Sequence, residues 1–143
     1  MSNIKNILNC LQHRYPFLLV DKVVNFNKNK SITVIKNVTI NEFYFQGHFD
    51  SHKIVPGVLI IESIAQSAGI FLFKSNKLKL YDHKFYLVGI DKTKFKKIVI
   101  PGDQMIISVV LDQVYQDFYR FIGTVYVKDD IVCQSNIICV YRI

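Results

Sequence analysis

The sequence predicts an α+β protein in which one long apolar helix is wrapped by a curved antiparallel sheet. Residues 57–73 are almost wholly apolar and contain no proline, so the segment is too long for a strand and is typical of a buried helix. Strand-like segments bounded by turn residues precede and follow it. Because one sheet covers only one side of an all-round apolar helix, the other side needs loops or a second subunit, which favours a dimer.

The segment before the central helix predicts one short helix and two strands. Isoleucines and leucines at helical spacing indicate a helix from Ser2, its cap, to about Gln12, and Pro16 prevents that helix from continuing. Two strands are expected next, at residues 17–26 and 31–40, with a turn at residues 27–29 between them. Residues 41–46 lead into the polar, irregular stretch that precedes Gly57.

The segment after the helix predicts a strand-rich half. We expect a polar connection at residues 74–83 and a strand at 84–90. A basic bend follows at 91–97, and then a turn at 98–102 that contains Pro101 and Gly102. Three further strands are expected at residues 104–115, 117–127 and 131–143, with a turn at Asp129 and Asp130 before the last. No repeat or break in composition divides the chain, so residues 1–143 are interpreted as a single domain.

Composition excludes several classes of protein. The 143 residues are half hydrophobic, so the chain is expected to fold, and the mixed, polar N-terminus does not resemble a signal peptide. The apolar helix carries Glu62 and Gln66 and is flanked by strands, so insertion into a membrane is not expected. Three cysteines without metal-ligand spacing (Cys10, Cys133 and Cys139) indicate reduced thiols in a cytoplasmic compartment.

The formal charge of +7 includes a short basic run formed by Lys92, Lys94, Lys96 and Lys97. One interpretation is a solvated surface, and the other is a landing site for an acidic partner. No nucleic-acid-binding module is recognisable in the sequence, so nucleic acid is not the expected partner.

Four residues are candidates for chemistry. His48 and His52 lie in the polar stretch, and Glu62 lies inside the apolar helix, where an ionised side chain is costly unless it is paired or used. A histidine and a carboxylate facing an apolar cavity suit proton abstraction and return near neutral pH. Gly57 offers a helix N-terminal N–H to an oxygen that gains negative charge. The alternative remains a structural histidine and a carboxylate paired with another side chain.

Four blocks of sequence resemble the bacterial 3-hydroxyacyl-[acyl-carrier-protein] dehydratases of fatty-acid synthesis, the FabZ type. The blocks read HRYPFLLVDKV at 13–23, KNVTINEFYFQGHF at 36–49, VPGVLIIESIAQ at 55–66 and GIDKTKFKKIVIPGD at 89–103. Their order and spacing agree with the family over most of the chain. The resemblance implies the hot-dog fold, a long central helix wrapped by an antiparallel sheet.

The resemblance also implies the reaction and its residues. His48 and Glu62 would be the catalytic pair, contributed by different subunits of a dimer that commonly assembles into a trimer of dimers. His48 would remove the proton alpha to the thioester carbonyl, the Gly57 N–H would hold the carbonyl oxygen, and Glu62 would protonate or orient the departing hydroxyl. Phe49, Val58 and Tyr86 would line the acyl tunnel.

The implied substrate is carried on the phosphopantetheine arm of acyl carrier protein, an acidic partner that the lysines at 92, 94, 96 and 97 would receive. Neither a redox cofactor nor a metal is implied, and the sequence contains no metal-ligand cluster or phosphate-binding loop.

The sequence departs from the family pattern at three prolines. Asp50 and Lys53 stand where the loop after the catalytic histidine usually carries proline, and Ile98 replaces a third in the basic bend. The loop therefore lacks two fixed φ angles, and an extra acid stands near His48. Thioesterases of the same fold lack the His48-to-Glu62 arrangement, and dehydratase-isomerases carry Asp where this chain has Glu62. An acyl-binding module would need neither residue, so simple dehydration is the favoured interpretation.

Overall fold

A computed structural model describes residues 2–77 and 79–142. It contains a short helix α1 (Ile4–Leu8), strands β1 (Lys22–Asn27) and β2 (Ser31–Asn37), a 3-10 helix (Phe43–Gln46) and the central helix α2 (Gly57–Asn76). Four longer strands follow: β3 (Lys84–Phe95), β4 (Gln104–Tyr115), β5 (Phe118–Val127) and β6 (Asp130–Arg142). The predicted α+β architecture, one long helix with an antiparallel sheet, is confirmed.

The six strands form one sheet in the order β1-β2-β4-β5-β6-β3, and its neighbouring strands pair antiparallel. The register of β3 on β6 shifts between Leu87 and Gly89 and again between Asp91 and Lys94. Such shifts bend a strand and increase its twist. Strand β3 therefore curves along the edge of the sheet toward the N-terminal end of α2.

Helix α2 packs against one face of the sheet, in contact with strands β2 to β6, and supplies much of the core. Its buried side chains include Ile64 and Phe71, and the Phe71 ring packs edge-on against Phe121 of β5 with centroids 5.7 Å apart. Gly123 permits this close approach, because a Cβ atom there would lie 2.5 Å from Cγ2 of Ile64. Burial of these apolar side chains is the main stabilising contribution to the fold.

Helix α2 begins at Gly57, as predicted, and ends at Asn76 instead of residue 73. The left-handed conformation of Lys77 (φ 52°) terminates it, and the Lys77 N–H bonds the Phe73 carbonyl. By length and composition this helix would be able to cross a membrane, but 67% of its most apolar 18-residue window is buried inside the fold. The apolar surface of the helix is therefore covered mainly by the rest of the protein, not by lipid.

The prediction for the N-terminal helix was wrong in both its cap and its length. The cap is Asn3, whose side chain accepts a hydrogen bond from the Asn6 N–H, and the helix ends at Leu8. Ser2 is unavailable as a cap because its backbone exchanges two hydrogen bonds with Val23. The pairing of Ser2 with Val23 therefore outweighs the local preference of serine for a helix cap.

Three strand boundaries were also predicted wrongly. The second strand ends at Asn37 instead of residue 40, because Val38 exchanges backbone hydrogen bonds with the turn at residues 102–103 instead. The first strand begins at Lys22 instead of residue 17, because the preceding residues bond a helix side chain instead of a neighbouring strand. Residues 91–95 of the predicted basic bend belong to β3, which continues to Phe95. The bounds of β4 match the prediction, whereas two predicted segments include residues outside the described ones, namely Leu78 and Ile143.

Candidate active site

The segment that carries His48 is attached to the fold by the 3-10 helix before it. The Phe45 ring of that helix is 2% exposed, and Lys36, itself buried, donates to the preceding Glu42 at 2.8 Å. A buried cation of this kind is stable only when it is paired. These contacts fix residues 42–46, and the chain then leaves the core through the exposed Gly47.

The His48 ring is oriented by a backbone carbonyl. Its Nδ1 lies 2.8 Å from the Ile54 oxygen, which can only accept a hydrogen bond, so Nδ1 carries the proton in the neutral ring. The Nε2 lone pair is then free to act as a base. Ile54 also donates its N–H to the His48 carbonyl at 3.3 Å, and Val55 donates to the Val99 carbonyl at 2.8 Å. The His48 ring is thus held by contacts that continue into the core.

His48 faces a cavity of about 530 Å³ at the start of helix α2. The helix contributes Gly57, Val58 and Ile60, and the end of β3 contributes Phe95. Most of the lining is apolar, which suits an aliphatic or thioester group and strengthens any electrostatic contact made inside.

Gly57 is the first residue of helix α2, so its N–H has no partner within the helix. It lies at the positive end of the helix dipole, where developing negative charge is stabilised. The Phe95 ring occupies the space beside it, because a Cβ atom at Gly57 would lie 2.7 Å from Phe95 Cε1. Only glycine leaves both the N–H and the ring in place, and the position therefore suits the predicted binding of a carbonyl oxygen.

Glu62 is half-buried, with 21% of its side chain exposed, instead of enclosed as the apolar helix suggested. Its Oε1 accepts a hydrogen bond from Gln66 Nε2 at 3.1 Å and lies 3.4 Å from His13 Nε2. Both contacts go to one oxygen. Among the described residues, Oε2 has no hydrogen-bond partner, so it is the oxygen free to bind another group.

Gln66 is fully buried and fixes the geometry around Glu62 and His13, a region called here the acidic corner. Its carbonyl oxygen accepts from the Leu19 N–H at 2.8 Å, and its amide donates to the Phe17 carbonyl at 2.7 Å. The segment that follows His13 is therefore bonded to the same residue that holds Glu62. The sequence placed Gln66 and Glu62 on one helical face, but the contact of Glu62 with His13 was missed, because no local pattern joins positions 49 residues apart.

Within one chain the structure does not bring His48 and Glu62 into contact. His48 lies in the cavity at the start of α2, whereas Glu62 faces His13, and no hydrogen bond joins the two among the described residues. Val58 connects the regions, since it lines the His48 cavity and lies one helical turn, about 6 Å, before Glu62. Val58 is 71% exposed, which leaves this face of the helix uncovered in the single chain.

The three predicted tunnel residues occupy different places. Val58 lines the His48 cavity, and the Phe49 ring stacks on the His48 ring with centroids 4.0 Å apart. Tyr86 lies instead in a second cavity of about 540 Å³, which His13 also lines. The second cavity therefore adjoins Glu62 only through His13, which lies 3.4 Å from the Glu62 carboxylate.

The four lysines of the basic run separate into two pairs. Lys96 and Lys97 line the His48 cavity, and Lys97 also forms an exposed ion pair with Asp130 at 2.9 Å. Lys92 and Lys94 line a smaller depression of about 260 Å³. Only the first pair therefore adjoins the candidate site.

The cysteines are not part of this site. All three are free and buried, and burial raises the pKa of Cys133 to about 11 and that of Cys139 to about 12. They are therefore protonated near neutral pH and poorly nucleophilic. Within residues 2–77 and 79–142, histidine, cysteine and acidic side chains form no group suited to a metal ion.

Comparisons with solved structures agree with the architecture. The dehydratase heterocomplex ApeI:P from Xenorhabdus doucetiae superposes with a TM-score of 0.79 at 17% identity, covering 94% of this chain and 89% of that one. A Streptococcus mutans protein solved with acetyl CoA gives 0.67 at 15% identity, covering 93% and 96%. At these identities the likeness concerns the fold alone, and it confirms the hot-dog arrangement.

Comparison of sequences finds relatives with much higher identity to this chain. The model of the FabA-like domain matches residues 11–138. The 3-hydroxyacyl-[acyl-carrier-protein] dehydratase FabZ of Buchnera aphidicola is 49% identical over 136 residues, 95% of this chain and 90% of that protein. The enzyme of the same name from Paracidovorax citrulli is 47% identical over 143 residues, covering 99% and 98%. The chain therefore belongs to the FabA-like family and, within it, to the FabZ-type 3-hydroxyacyl-[acyl-carrier-protein] dehydratases.

Proposed function

We propose that this chain removes water from 3-hydroxyacyl-[acyl-carrier-protein] and forms trans-2-enoyl-[acyl-carrier-protein] in fatty-acid elongation. Its sequence identity of 47–49% to FabZ enzymes, over nearly the whole chain, supports this reaction. The observation that carries the proposal in this chain is the His48 ring, whose Nδ1 is bonded to the Ile54 carbonyl at 2.8 Å beside the N-terminus of a buried helix. That arrangement provides a neutral base next to a site for negative charge.

The first half of the reaction takes place in the His48 cavity. Nε2 of His48 removes the proton from the carbon alpha to the thioester carbonyl, and the electron pair of that C–H bond passes toward the carbonyl oxygen. The Gly57 N–H and the helix dipole stabilise the negative charge that forms there. The apolar lining excludes water and increases the strength of this interaction.

The second half requires an acid at the 3-hydroxyl group. The electron pair returns to form the double bond between the alpha and beta carbons, and the C–O bond breaks. Glu62 supplies a proton to the leaving hydroxyl, directly or through a water molecule, and water departs. The contacts of Gln66 and His13 with Oε1 hold the carboxyl so that Oε2 faces the reacting group.

The complete site is proposed to lie between two subunits, with His48 from one and Glu62 from the other. The separation of the two residues within a chain supports this arrangement, as does the exposure of apolar side chains around them. Val58, Ile90 and Phe95 are each more than half exposed in the single chain. A partner helix and strand laid over them would bury this surface. Further assembly into a trimer of dimers and a cytoplasmic location belong to the same proposal.

No redox cofactor or metal is needed in this scheme: His48 takes up one proton, Glu62 in its acid form gives up one, and the proton on His48 returns to Glu62 through water before the next turnover. The substrate arrives on the phosphopantetheine arm of acyl carrier protein, whose acidic surface is proposed to meet Lys96 and Lys97 at the edge of the His48 cavity. Lys92 and Lys94 lie around a different depression and are the weaker candidates for this contact.

Turnover of a 3-hydroxyacyl thioester of pantetheine tests the function. Enoyl thioester formation, followed by ultraviolet absorbance, is expected in the parent chain, and a thiol reagent should detect no free thiol. His48→Ala and Glu62→Gln should each lower the turnover number by at least about a hundredfold, as expected for a catalytic acid or base, without loss of the folded state by circular dichroism. Release of free thiol would identify a thioesterase, and binding without turnover would contradict catalysis.

A further inference from the structure

We propose that Lys53 is a positioning residue for His48, acting through the hydrogen bond that its ammonium group donates to the Phe45 carbonyl. The Lys53 Nζ lies 2.6 Å from that oxygen, eight residues back along the chain. The bond closes residues 45–53 into a loop with His48 inside it. This inference rests on the proposed function only in that it takes His48 to be the base.

The segment after His48 has few other attachments to the core. Its backbone forms a compact turn in which the Phe49 and His52 groups exchange hydrogen bonds at 3.1 and 3.3 Å. The side chains of Phe49, Asp50 and His52 are exposed, and the Phe49 ring stacks only on the neighbouring His48 ring, so packing against the core does not hold this turn in place. Burial of side chains begins again only at Val55.

On its N-terminal side the turn is joined to the fold through Gly47, which is a weak connection. Its N–H donates one hydrogen bond, to the Tyr44 carbonyl at 3.2 Å, and a Cβ atom at Gly47 would meet no atom within 4 Å, so little packing surrounds this residue. Glycine also has the greatest backbone freedom of any residue. Without the bond from Lys53, the turn would be able to pivot at Gly47 while Phe45 remains in the core.

The Phe45 carbonyl is a suitable acceptor. It lies in the last turn of the 3-10 helix, where carbonyls lack partners within the helix, and the Phe45 ring beside it is buried. Lys53 is half-buried, and a hydrogen bond from a charged group is among the stronger contacts in proteins.

The bond affects His48 through the adjacent residue. Ile54, next to Lys53, accepts the hydrogen bond from His48 Nδ1 and donates one to the His48 carbonyl. Holding Lys53 therefore holds the carbonyl that orients the ring. The lysine stands where the FabZ pattern carries a proline, so in this chain a side-chain hydrogen bond restrains the loop that lacks the fixed φ angle.

The test compares Lys53→Met, which keeps the length of the side chain but cannot donate, with Lys53→Arg, which keeps a cationic donor. Lys28→Met is the matched control, because Lys28 is exposed in the turn between β1 and β2 and its loss changes the net charge equally. The assay is turnover of the 3-hydroxyacyl pantetheine thioester. We expect kcat of Lys53→Met to fall about tenfold with KM unchanged, since displacement of a catalytic group affects the chemical step.

A second readout does not depend on activity. Hydrogen–deuterium exchange of peptides covering residues 43–55 should be faster in Lys53→Met than in the parent, and should stay at the parent level in the arginine and control variants. Unchanged exchange in Lys53→Met, a kcat within about twofold of the parent, or equal losses in the methionine and arginine variants would each overturn the proposal. If the parent itself lacks dehydratase activity, the proposed function fails, while the exchange experiment still decides whether Lys53 restrains the loop.

Discussion

Gln66 offers a direct test of how one helix side chain organises the acidic corner of the site. The expected result of replacing it by methionine is a large loss of stability, although methionine has similar length and is more apolar. The change removes the partner of the Leu19 N–H, at 2.8 Å, and that of the Phe17 carbonyl, at 2.7 Å. Because Gln66 is 0% exposed, water has little access to replace it.

The magnitude follows from the cost of unpaired groups. A buried backbone group left without a partner costs about 1–3 kcal/mol. Leu19 is buried, whereas Phe17 is 46% exposed and water replaces the lost donor more readily at its carbonyl. The Leu19 N–H therefore supplies most of an expected loss of about 2 kcal/mol in the free energy of unfolding. The added apolar surface of methionine offsets a part of this. Activity should fall as well, because Glu62 loses the amide that binds its Oε1 at 3.1 Å.

The assay is urea unfolding followed by circular dichroism at one protein concentration, since association with a second subunit makes apparent stability depend on concentration. Ser67→Ala is the matched control. Ser67 is equally buried, but its hydroxyl only donates to the Ser63 carbonyl of the same helix at 2.7 Å, so its loss leaves no backbone group unpaired. A Gln66→Met variant within about 1 kcal/mol of the parent would refute the reasoning, because the two backbone groups would then have found other partners.

Three further predictions follow from the same structure. Inactive His48→Ala and Glu62→Gln chains, reassembled together, should regain part of the activity in mixed dimers, and no recovery in verified mixed dimers would place both residues in one subunit's site. Lys96→Glu should raise KM for substrate on acyl carrier protein but scarcely for the pantetheine thioester, whereas Lys94→Glu should change neither; a loss on both substrates would instead indicate damage to the cavity. Because burial raises the pKa of Cys139 to about 12, its thiol should resist iodoacetamide near pH 8 in the native protein, react faster as the pH is raised, and react readily in urea; native labelling as fast as in urea would contradict its burial.

Periodicity in the sequence was sufficient to predict the central helix and most of the strands. The apolar run after Pro56 has only one satisfactory environment, the interior, so the position and beginning of α2 could be read directly. The alternation of β4 was equally clear, and its bounds agree with the prediction. Both signals are local, because they arise from the geometry of a single helix or strand.

The wrong boundaries share a physical cause. Ser2 pairs with Val23, and Leu19 bonds the side chain of Gln66, so residues with helical or strand preferences are held by partners far along the chain. The continuation of β3 through Lys94 to Phe95 likewise depends on pairing with β6. Local propensity amounts to fractions of a kcal/mol per residue, and tertiary hydrogen bonds readily exceed it.

The sequence by itself determined the architecture, the family and the candidate residues His48, Gly57 and Glu62. It did so because an apolar helix interrupted by a carboxylate is a costly pattern, and because the motif blocks are specific. Only the tertiary structure decided the contacts of these residues: the orientation of His48 by Ile54, the contacts on one oxygen of Glu62, and the bond from Lys53 to Phe45. Those features depend on distances between segments remote in sequence, which no local pattern encodes, and they are the features that a catalytic geometry requires.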